Sequence, residues 1–537
     1  MNNLLNRREA INSVVVTAEQ MLAIEGLIFA AGMPVAALME KAAGLVATRI
    51  QQLYPLGSTS KVGILVGPGH NGGDALVVAR ELHLAGFEVL VYSPFSKFKE
   101  LTERHYQYAN SLGINFEKEI KLLFDCHLVI DGLFGFGLTR QITGHLAEAI
   151  NKINQQDIPI ISIDIPSGVH TDTGEVLGTA IRATHTLCLG LWKLAFFQDS
   201  ALEYLGKTEL IDIGIPLKHI LSIISPSHLL YDDSLPLCEN PISPSILTQT
   251  IAKQYLPLPR PLTTYKYQQG NLLLICGSSR YSGAAILAGL GGRASGVGMV
   301  SIAVPESLKL LLTSQLPEAL IIGCPETETG AIAHLPALDL NKFDVIACGP
   351  GLTPDAVNLV QSILPASCPL ILDADGLNIL AVRRPSLQAE LGTIASLAQR
   401  PAPTILTPHL GEFRRLFPEI ESPNKNRIAA VQTAAKNSGA IVLFKGARTA
   451  ISQPNGSTWL IPESTTALAR GGSGDVLTGL MGGLMAQARG KEKMFDWIVA
   501  VAAWWHARAG ILAARERSEL GVDPVTLCQY LADVVVS

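Results

Sequence analysis

The chain has 537 residues, of which 48% are hydrophobic and 16% charged, with 48 glycines; that suits packed cores and excludes a disordered chain. Lys and Arg number 41 against 46 Asp and Glu, a net charge of −5, so nothing points to nucleic acid or an anionic membrane as partner. At roughly 150 residues per domain the length fits three or four units, or two large α/β domains. The eight cysteines form no C-x-x-C pair, which argues against zinc knuckles and thioredoxin chemistry. Scattered thiols suit a reducing compartment. Met1 to Ser13 is polar and lacks the apolar core of a signal peptide. The most apolar helical stretches carry Glu19 and Glu25, or Asp496 and Arg508, and fall short of the ~20 clean residues of a membrane helix. The expectation is a cytoplasmic protein with no membrane or nucleic-acid partner.

Both halves of the chain alternate short apolar runs with helical patterns. In the first half Lys61–Val66, Glu88–Tyr92, His127–Ile130, Pro159–Ile163 and Thr186–Leu189 read as buried strands, with a helix over Asp74–Ala85. In the second half the strands are Asn271–Cys276, Met299–Val304, Asp344–Ala347, Leu370–Leu372, Thr404–Leu406 and Ala440–Phe444. Continuous apolar strands alternating with helices predict parallel sheets covered on both faces, the α/β class. Between them, Pro216 to Leu262 holds eight prolines where 31 in 537 residues would place about three. That run reads as a linker, which divides the chain into residues 1–215, a linker 216–240, and residues 241–537.

Parallel sheets bind ligands at the carboxyl ends of their strands. In the first half the motifs lie there. Strand Lys61–Val66 runs into Gly67-Pro-Gly-His-Asn-Gly-Gly-Asp74, where Gly67, Gly69 and Gly72 match G-x-G-x-x-G. Such glycines let backbone N–H groups approach a pyrophosphate at a helix N-terminus. The second strand ends Tyr92-Ser93-Pro94 without the acid that would hold a ribose, so a standard dinucleotide grip is not predicted. Two further strands end in acids, Asp131 and Asp164, the latter followed by Ile165-Pro-Ser-Gly168. Either acid alone would read as a turn cap. Asn71, Asp131, Asp164 and Ser167 converging from three strand ends suit a hard cation and general acid/base work.

The strings Pro68-Gly-His-Asn-Gly-Gly-Asp74, Asp131-Gly-Leu-Phe-Gly-Phe-Gly137 and Asp164-Ile-Pro-Ser-Gly168 resemble the YjeF N-terminal domain, the NAD(P)H-hydrate epimerase family. The resemblance covers most of residues 10–215 and implies a Rossmann-like fold. It implies that His70, Asn71, Gly72, Gly73 and Asp74 contact the hydrate. It implies the same of Gly135, Phe136, Gly137, Leu138, Thr139, Arg140, Gln141 and Asp164, with Asp164 as acid/base. A potassium ion would be held by Asn71, Asp131 and Ser167. His70 stands where many members carry a second Asn, and Ala75 where Gly is usual; the amide and carboxylate of the site remain.

In the second half five strand ends lead into polar or glycine loops: Gly277–Gly283, Gly349–Leu352, Asp373–Asn378, Thr407–Glu412 and Lys445–Thr449. The Ala/Gly-rich stretch Ala284–Gly298 allows close packing or close approach of a ligand. The most specific string is Gly471-Gly-Ser-Gly-Asp475, opening a helical run Val476–Ala486. Free N–H groups at a helix start bind anions, and an Asp there is placed to take a proton from a hydroxyl attacking a phosphoryl group. The string resembles the ribokinase-like superfamily. With Tyr281–Ala285, Gly349–Gly351, Asp373–Asp375, Thr407–Glu412 and Lys445–Ala447 it is similar to the YjeF C-terminal domain, the ADP-dependent NAD(P)H-hydrate dehydratases, over about 250–530. That resemblance implies hydrate contacts at Ala285, Gly351, His409 and Asp475. It implies adenine-nucleotide contacts at Lys445, Gly446, Ala447, Arg448, Thr449 and Gly474, with Asp475 as the base. Thr465-Thr466 and Arg470 replace the more usual Asn-Pro and Thr, which leaves the role of Arg470 open.

Together the resemblances imply repair of NADH or NADPH hydrated across the nicotinamide C5–C6 bond. An epimerase interconverts R and S hydrates; a dehydratase phosphorylates the S hydroxyl with ADP and magnesium, giving AMP, and then expels phosphate. Families of this kind commonly assemble, so a homo-oligomer is expected. Two rivals are a small-alcohol kinase of the ribokinase type and a first half serving only as a nucleotide-binding or protein-interaction module.

Overall fold

The computed structural model describes residues 7–224, 244–381, 394–489 and 494–536. It divides into two units, Met1–Pro244 and Ser245–Ser537. The first is built on seven strands: β1 (Lys61–Val66), β2 (Glu88–Tyr92), β3 (Asn115–Glu117), β4 (Leu128–Gly132), β5 (Ile160–Ile163), β6 (His185–Leu189) and β7 (Lys207–Ile211). They are all parallel in the order β3-β2-β1-β4-β5-β6-β7. That is the doubly wound order, with the reversal of winding between β1 and β4. The five central strands match the sequence reading to within two residues at each end. The edge strands β3 and β7 were not predicted.

Three helices shape the site end of this sheet: α1 (Ala18–Ala30), α2 (Val35–Leu53) and α3 (His70–Leu84). A capping box starts α1: Gln20 N–H donates to Thr17 Oγ1, and Thr17 N–H donates to Gln20 Oε1. Its buried face, Met21, Ile24 and Ile28, packs with Leu38, Ile213, Ile220 and Ile224. Helix α3 begins four residues before the predicted Asp74, so only Gly67–Gly69 of the glycine-rich string are loop; its last five residues open the helix. A helix α4 (Leu217–Ile224) occupies the start of the predicted linker. Ile220 and Ile224 are buried against α1, which draws this segment into the first unit, and residues 225–240 of the linker lie outside the described residues.

The second unit is built on ten strands. They are β8 (Ser245–Ile246), β9 (Asn271–Ile275), β10 (Met299–Pro305), β11 (Leu320–Cys324), β12 (Val345–Cys348), β13 (Leu370–Leu372), β14 (Thr404–Leu406), β15 (Ile441–Phe444), β16 (Ala450–Ser452) and β17 (Thr458–Leu460). The order is β8-β17-β16-β15-β14-β13-β12-β9-β10-β11. All pairings from β15 to β11 are parallel, but β16 is antiparallel to both its neighbours. The prediction of purely parallel sheets fails there because Gln453–Gly456 forms a tight turn, and a hairpin needs no crossover. Winding reverses between β9 and β12, which places a second crevice at their carboxyl ends.

Helices α5 (Ser282–Ala294) and α6 (Ser473–Gln487) pack on strands β9, β10 and β12, in backbone contact with each other. A Cβ on Gly479 would lie 1.9 Å from Ala288 O, and one on Gly291 would lie 2.1 Å from Val476 O. The Ala/Gly-rich stretch is therefore a helix–helix contact. Helix α7 (Phe495–Arg517) is long and apolar enough to cross a membrane, contrary to the sequence reading, but most of it is buried inside this unit. Its Asp496 accepts from Trp459 Nε1 at 3.2 Å, and its Trp505 Nε1 donates to Leu531 O at 2.6 Å.

Candidate functional sites

At the carboxyl end of the first sheet lies a cavity of about 430 Å³. Strand ends supply Gly69, His70, Asn71 and Asp74 after β1, Leu133 to Arg140 after β4, Asp164 after β5, and Leu189 and Lys193 around the end of β6. Helix α1 supplies Met21, Leu22, Glu25 and Phe29. Of the predicted hydrate contacts, Gly72, Gly73 and Gln141 do not line the cavity. Gly72 serves packing instead: a Cβ there would lie 1.9 Å from Gly67 O, so the glycine lets the helix start press on the loop. Gly69 and Gly137 face open space.

Asp131 is fully buried and accepts four hydrogen bonds: from Ser162 Oγ (2.8 Å), Ser167 N (2.9 Å), Ser167 Oγ (2.6 Å) and Leu133 N (3.2 Å). Burial pushes its carboxyl up, against the pull of those donors. Among the described residues no cation pairs with it. Ser167 Oγ also accepts from Phe134 N at 2.9 Å. Asn71 is buried beside Gly135, and its Nδ2 has no partner among the described residues. An amide, a hydroxyl and a buried carboxylate without a counter-ion are a donor set that fits a monovalent hard cation.

Asp164 follows β5 with φ at 70°, a left-handed conformation that few non-glycine residues adopt. That turn aims the carboxylate into the cavity. Oδ1 accepts from the Lys193 ammonium and from Leu189 N at 3.2 Å; Oδ2 accepts from Phe136 N at 3.3 Å. Lys193 is fully buried, held by a two-residue pairing of Trp192–Lys193 with Val15–Val16, and donates also to Leu189 O at 2.7 Å. Burial lowers its pKa most, but the Asp164 charge and hydrogen bond, with Cys188 and Glu25, together hold the ammonium above its ordinary range. Two more acids share this space. Burial raises Glu25 to about 7, with Lys193 opposing and Asp164 adding. Asp74 is pushed well above the carboxylate range by burial, then by Asp164 and Glu25. His70 is lowered by burial and by Lys99.

The second centre gathers at the carboxyl ends of the second sheet. Asp373, after β13, accepts from Lys445 Nζ at 2.7 Å and from Thr478 Oγ1 at 2.7 Å. Burial raises Asp373, but the Lys445 charge and these bonds hold it below its usual value. Ala374, the next residue, has φ at 46°, again a strained strand end. Gly474 and Asp475 lie in the first turn of α6, and a Cβ on Gly474 would lie 3.5 Å from Lys445 Nζ. Asp475 has no hydrogen-bond partner among the described residues; burial raises it to about 7, with Asp373 adding and Lys445 opposing.

His409 caps the helix Leu410–Leu416, its Nδ1 accepting from Gly411 N at 2.9 Å, and is lowered by burial and then by Lys445. Arg427, buried over the Phe444 ring at 3.8 Å, donates to Lys445 O at 2.8 Å and fixes the start of the Lys445–Thr449 loop. Gly446 and Ala447 are exposed there, and Thr449 Oγ1 bonds back to Gly446 O at 3.2 Å. Gly351 has φ at 67° and meets Tyr281 and Ala284, while Ala285 is fully buried. Arg470 donates to Val522 O at 3.0 Å and Leu520 O at 3.1 Å, so it ties down a C-terminal turn. His506 is buried, lowered to about 4 by burial, and contacts Ser473 O at 2.9 Å.

The sequence reading missed Glu25 and Lys193 in the first centre and gave Asp373 no role in the second. For Asp373 the signal was present, a strand ending in an acid. For Glu25 it was a lone acid on an apolar helix.

Comparison with known proteins agrees with this division. A family model described as YjeF-related protein N-terminus matches residues 35–195, and one described as NAD(P)H-hydrate dehydratase matches 272–533. A bifunctional NAD(P)H-hydrate repair enzyme Nnr of Synechocystis sp. is 54% identical, over 96% of this chain and 94% of its own. One of Thermosynechococcus vestitus is 47% identical over 96% of both chains. A solved ADP/ATP-dependent NAD(P)H-hydrate dehydratase from Bacillus subtilis, co-crystallised with ATP and Mg²⁺, is 32% identical; the match covers 53% of this chain and 96% of that one, at a TM-score of 0.45. With half its residues shared end to end with the Synechocystis protein, the chain belongs to the family of bifunctional NAD(P)H-hydrate repair enzymes.

Proposed function

We propose that the chain repairs NADH and NADPH hydrates, the first unit as epimerase and the second as an ADP-dependent dehydratase of the S form. The observation that carries the reading is the pair of complete centres in one chain, in relatives that share nearly its whole length. The domain limits follow as residues up to about 224 and from about 244.

In the second unit Asp475 takes the proton of the C6 hydroxyl, whose oxygen attacks the β-phosphorus of ADP as AMP departs. Asp475 has no hydrogen bond to break, and its pKa near 7 suits a base at neutral pH. The first-turn N–H groups of α6 and the Lys445 ammonium face the charge developing on the phosphoryl group. Phosphate then leaves C6 as a proton leaves C5, which restores the double bond. No cluster of three His, Cys, Asp or Glu among the described residues would hold a metal unaided, so magnesium would arrive with the nucleotide and neutralise its phosphates. The loop Lys445–Thr449 holds the nucleotide, Gly351 and His409 the hydrate.

In the first unit Asp164, with His70, Asn71, Asp74 and Gly135 to Arg140, holds the hydrate. Potassium is held by Asn71 and Ser167, with Asp131 supplying the negative charge. The seven described cysteines are unpaired, which supports a reducing, cytoplasmic setting. Purified protein given S hydrate, ADP and magnesium should release AMP, phosphate and reduced nucleotide in equal amounts. Accumulation of a stable phosphorylated product would instead indicate a small-alcohol kinase.

A further inference from the structure

The first cavity holds three acids against one buried cation, and they are not equivalent. Asp164 is tied by Lys193, Leu189 N and Phe136 N. Asp74 sits buried as the fifth residue of α3. Glu25 comes from a different wall, helix α1, and its carboxyl lines the cavity with no hydrogen bond or ion pair among the described residues. An apolar helix flanked by Met21, Leu22 and Phe29 gains nothing structural from an unpartnered carboxyl, which burial makes unfavourable. Such groups persist where a ligand supplies the partner.

We propose that Glu25 is a catalytic residue of the epimerase, the acid that protonates the C6 hydroxyl so that the C6–O bond breaks and water leaves. The proposal rests on the epimerase reading of this unit. The C6 carbon adjoins the ring nitrogen N1. When the C6–O pair departs with the proton from Glu25, the N1 lone pair forms a C6=N1 iminium. Water then adds to the other face of C6 and returns a proton to the Glu25 carboxylate. Nothing is oxidised and nothing is consumed. The alternative, ring opening at C6–N1, passes through an uncharged aldehyde. Glu25 becomes a carboxylate as it gives up its proton, and that charge beside C6 favours the cationic intermediate. The other two acids are less free to act: Asp164 is engaged by Lys193, Leu189 N and Phe136 N, and Asp74 is buried near the start of α3. The other ionisable groups lining the cavity are His70, Lys99 and Arg140. These suit the phosphates of the substrate better than its ring.

The test uses the full chain and separated R-NADPH hydrate labelled with ¹⁸O at C6, with ADP, magnesium and potassium. Because the second unit takes only S, reduced nucleotide forms from R at the epimerisation rate. Glu25→Gln should lower that kcat by about 10²-fold or more, leave KM for R nearly unchanged, and leave S turnover at the wild-type rate. Glu25→Asp should recover part of the loss, and the limb of the R profile near pH 7 should vanish in Glu25→Gln. Wild-type inversion should lose the label. Glu25→Gln turning over R within about threefold of wild type while Asp164→Asn does not would overturn the role of Glu25 alone. A change confined to KM, or inversion with the label retained, would also overturn it. Wild-type protein converting R no faster than the spontaneous rate would remove the epimerase reading and this proposal with it. Glu25→Gln should unfold no lower than wild type, since it removes a buried ionisable group.

Discussion

The two centres use the same arrangement for opposite charge problems. Each sets a buried Asp–Lys pair at a strained strand end, Asp164–Lys193 in the first and Asp373–Lys445 in the second. Each adds one unpartnered acid raised to about 7, Glu25 or Asp475. They differ in what surrounds the pair. In the first, Glu25 faces the pair from helix α1 across a cavity, and the carboxylate left when it gives up its proton suits a positive intermediate. The second opens beneath the N-terminus of α6, whose N–H groups suit a negative phosphoryl group. An Asp–Lys pair positions an acid; the neighbouring backbone decides which charge the site stabilises.

The sharpest break is Asp475→Asn. It should lower dehydration of S hydrate by about 10²–10⁴-fold while R and S still interconvert, as chiral chromatography of the hydrates would show. Loss of both activities would mean that the centres are not independent. Next is Lys193→Met, which strands the Asp164 charge in the interior and should destabilise the first unit by about 3–5 kcal/mol in denaturant unfolding. Adding Asp164→Asn should recover much of that; equal loss in the double variant would mean that Lys193 acts through packing alone.

The pH dependence separates the raised acids. Dehydration needs Asp475 ionised, so kcat/KM for S should rise with pH through about 7 and then level. Stability runs the other way. A carboxyl raised in the fold binds more protons there than in the unfolded chain, so its contribution falls as pH rises from about 4 to 7 and stays lost above. Asp475→Asn should therefore melt a few degrees above wild type at pH 8 and level with it near pH 4 by calorimetry. A higher wild-type midpoint at pH 8 would contradict the raised carboxyl. The smallest effect is Arg470→Ala, which loses two bonds to a partly exposed turn, about 1–3 kcal/mol of stability, and leaves KM for ADP unchanged.

The central strands were legible because a parallel sheet covered on both faces demands continuous apolar runs, as in Lys61–Val66 and Leu370–Leu372. The edge strands Asn115–Glu117 and Lys207–Ile211 were not, because each is only partly buried and reads as loop. The hairpin Ala450–Leu460 was missed because its short strands carry Ser452 and Thr458, which break the apolar run that marks a buried strand. Asp131, Asp164 and Asp475 stood at strand ends or a helix start, where position alone suggests chemistry. Lys193 and Glu25 reach the first cavity from a two-residue strand and from a helix far upstream, and no spacing links them to Asp164. Gly72 shows the converse: its place in a ligand-like motif was legible, but its contact is with Gly67 O.

The most direct test of two chemistries in one chain is reduced-nicotinamide absorbance with mixed R and S NADPH hydrate, ADP, magnesium and potassium. Complete recovery of NADPH, faster than spontaneous epimerisation permits, is the predicted result. Recovery that stalls at the S fraction and then creeps on at the spontaneous rate would contradict it and leave the first unit a binding module.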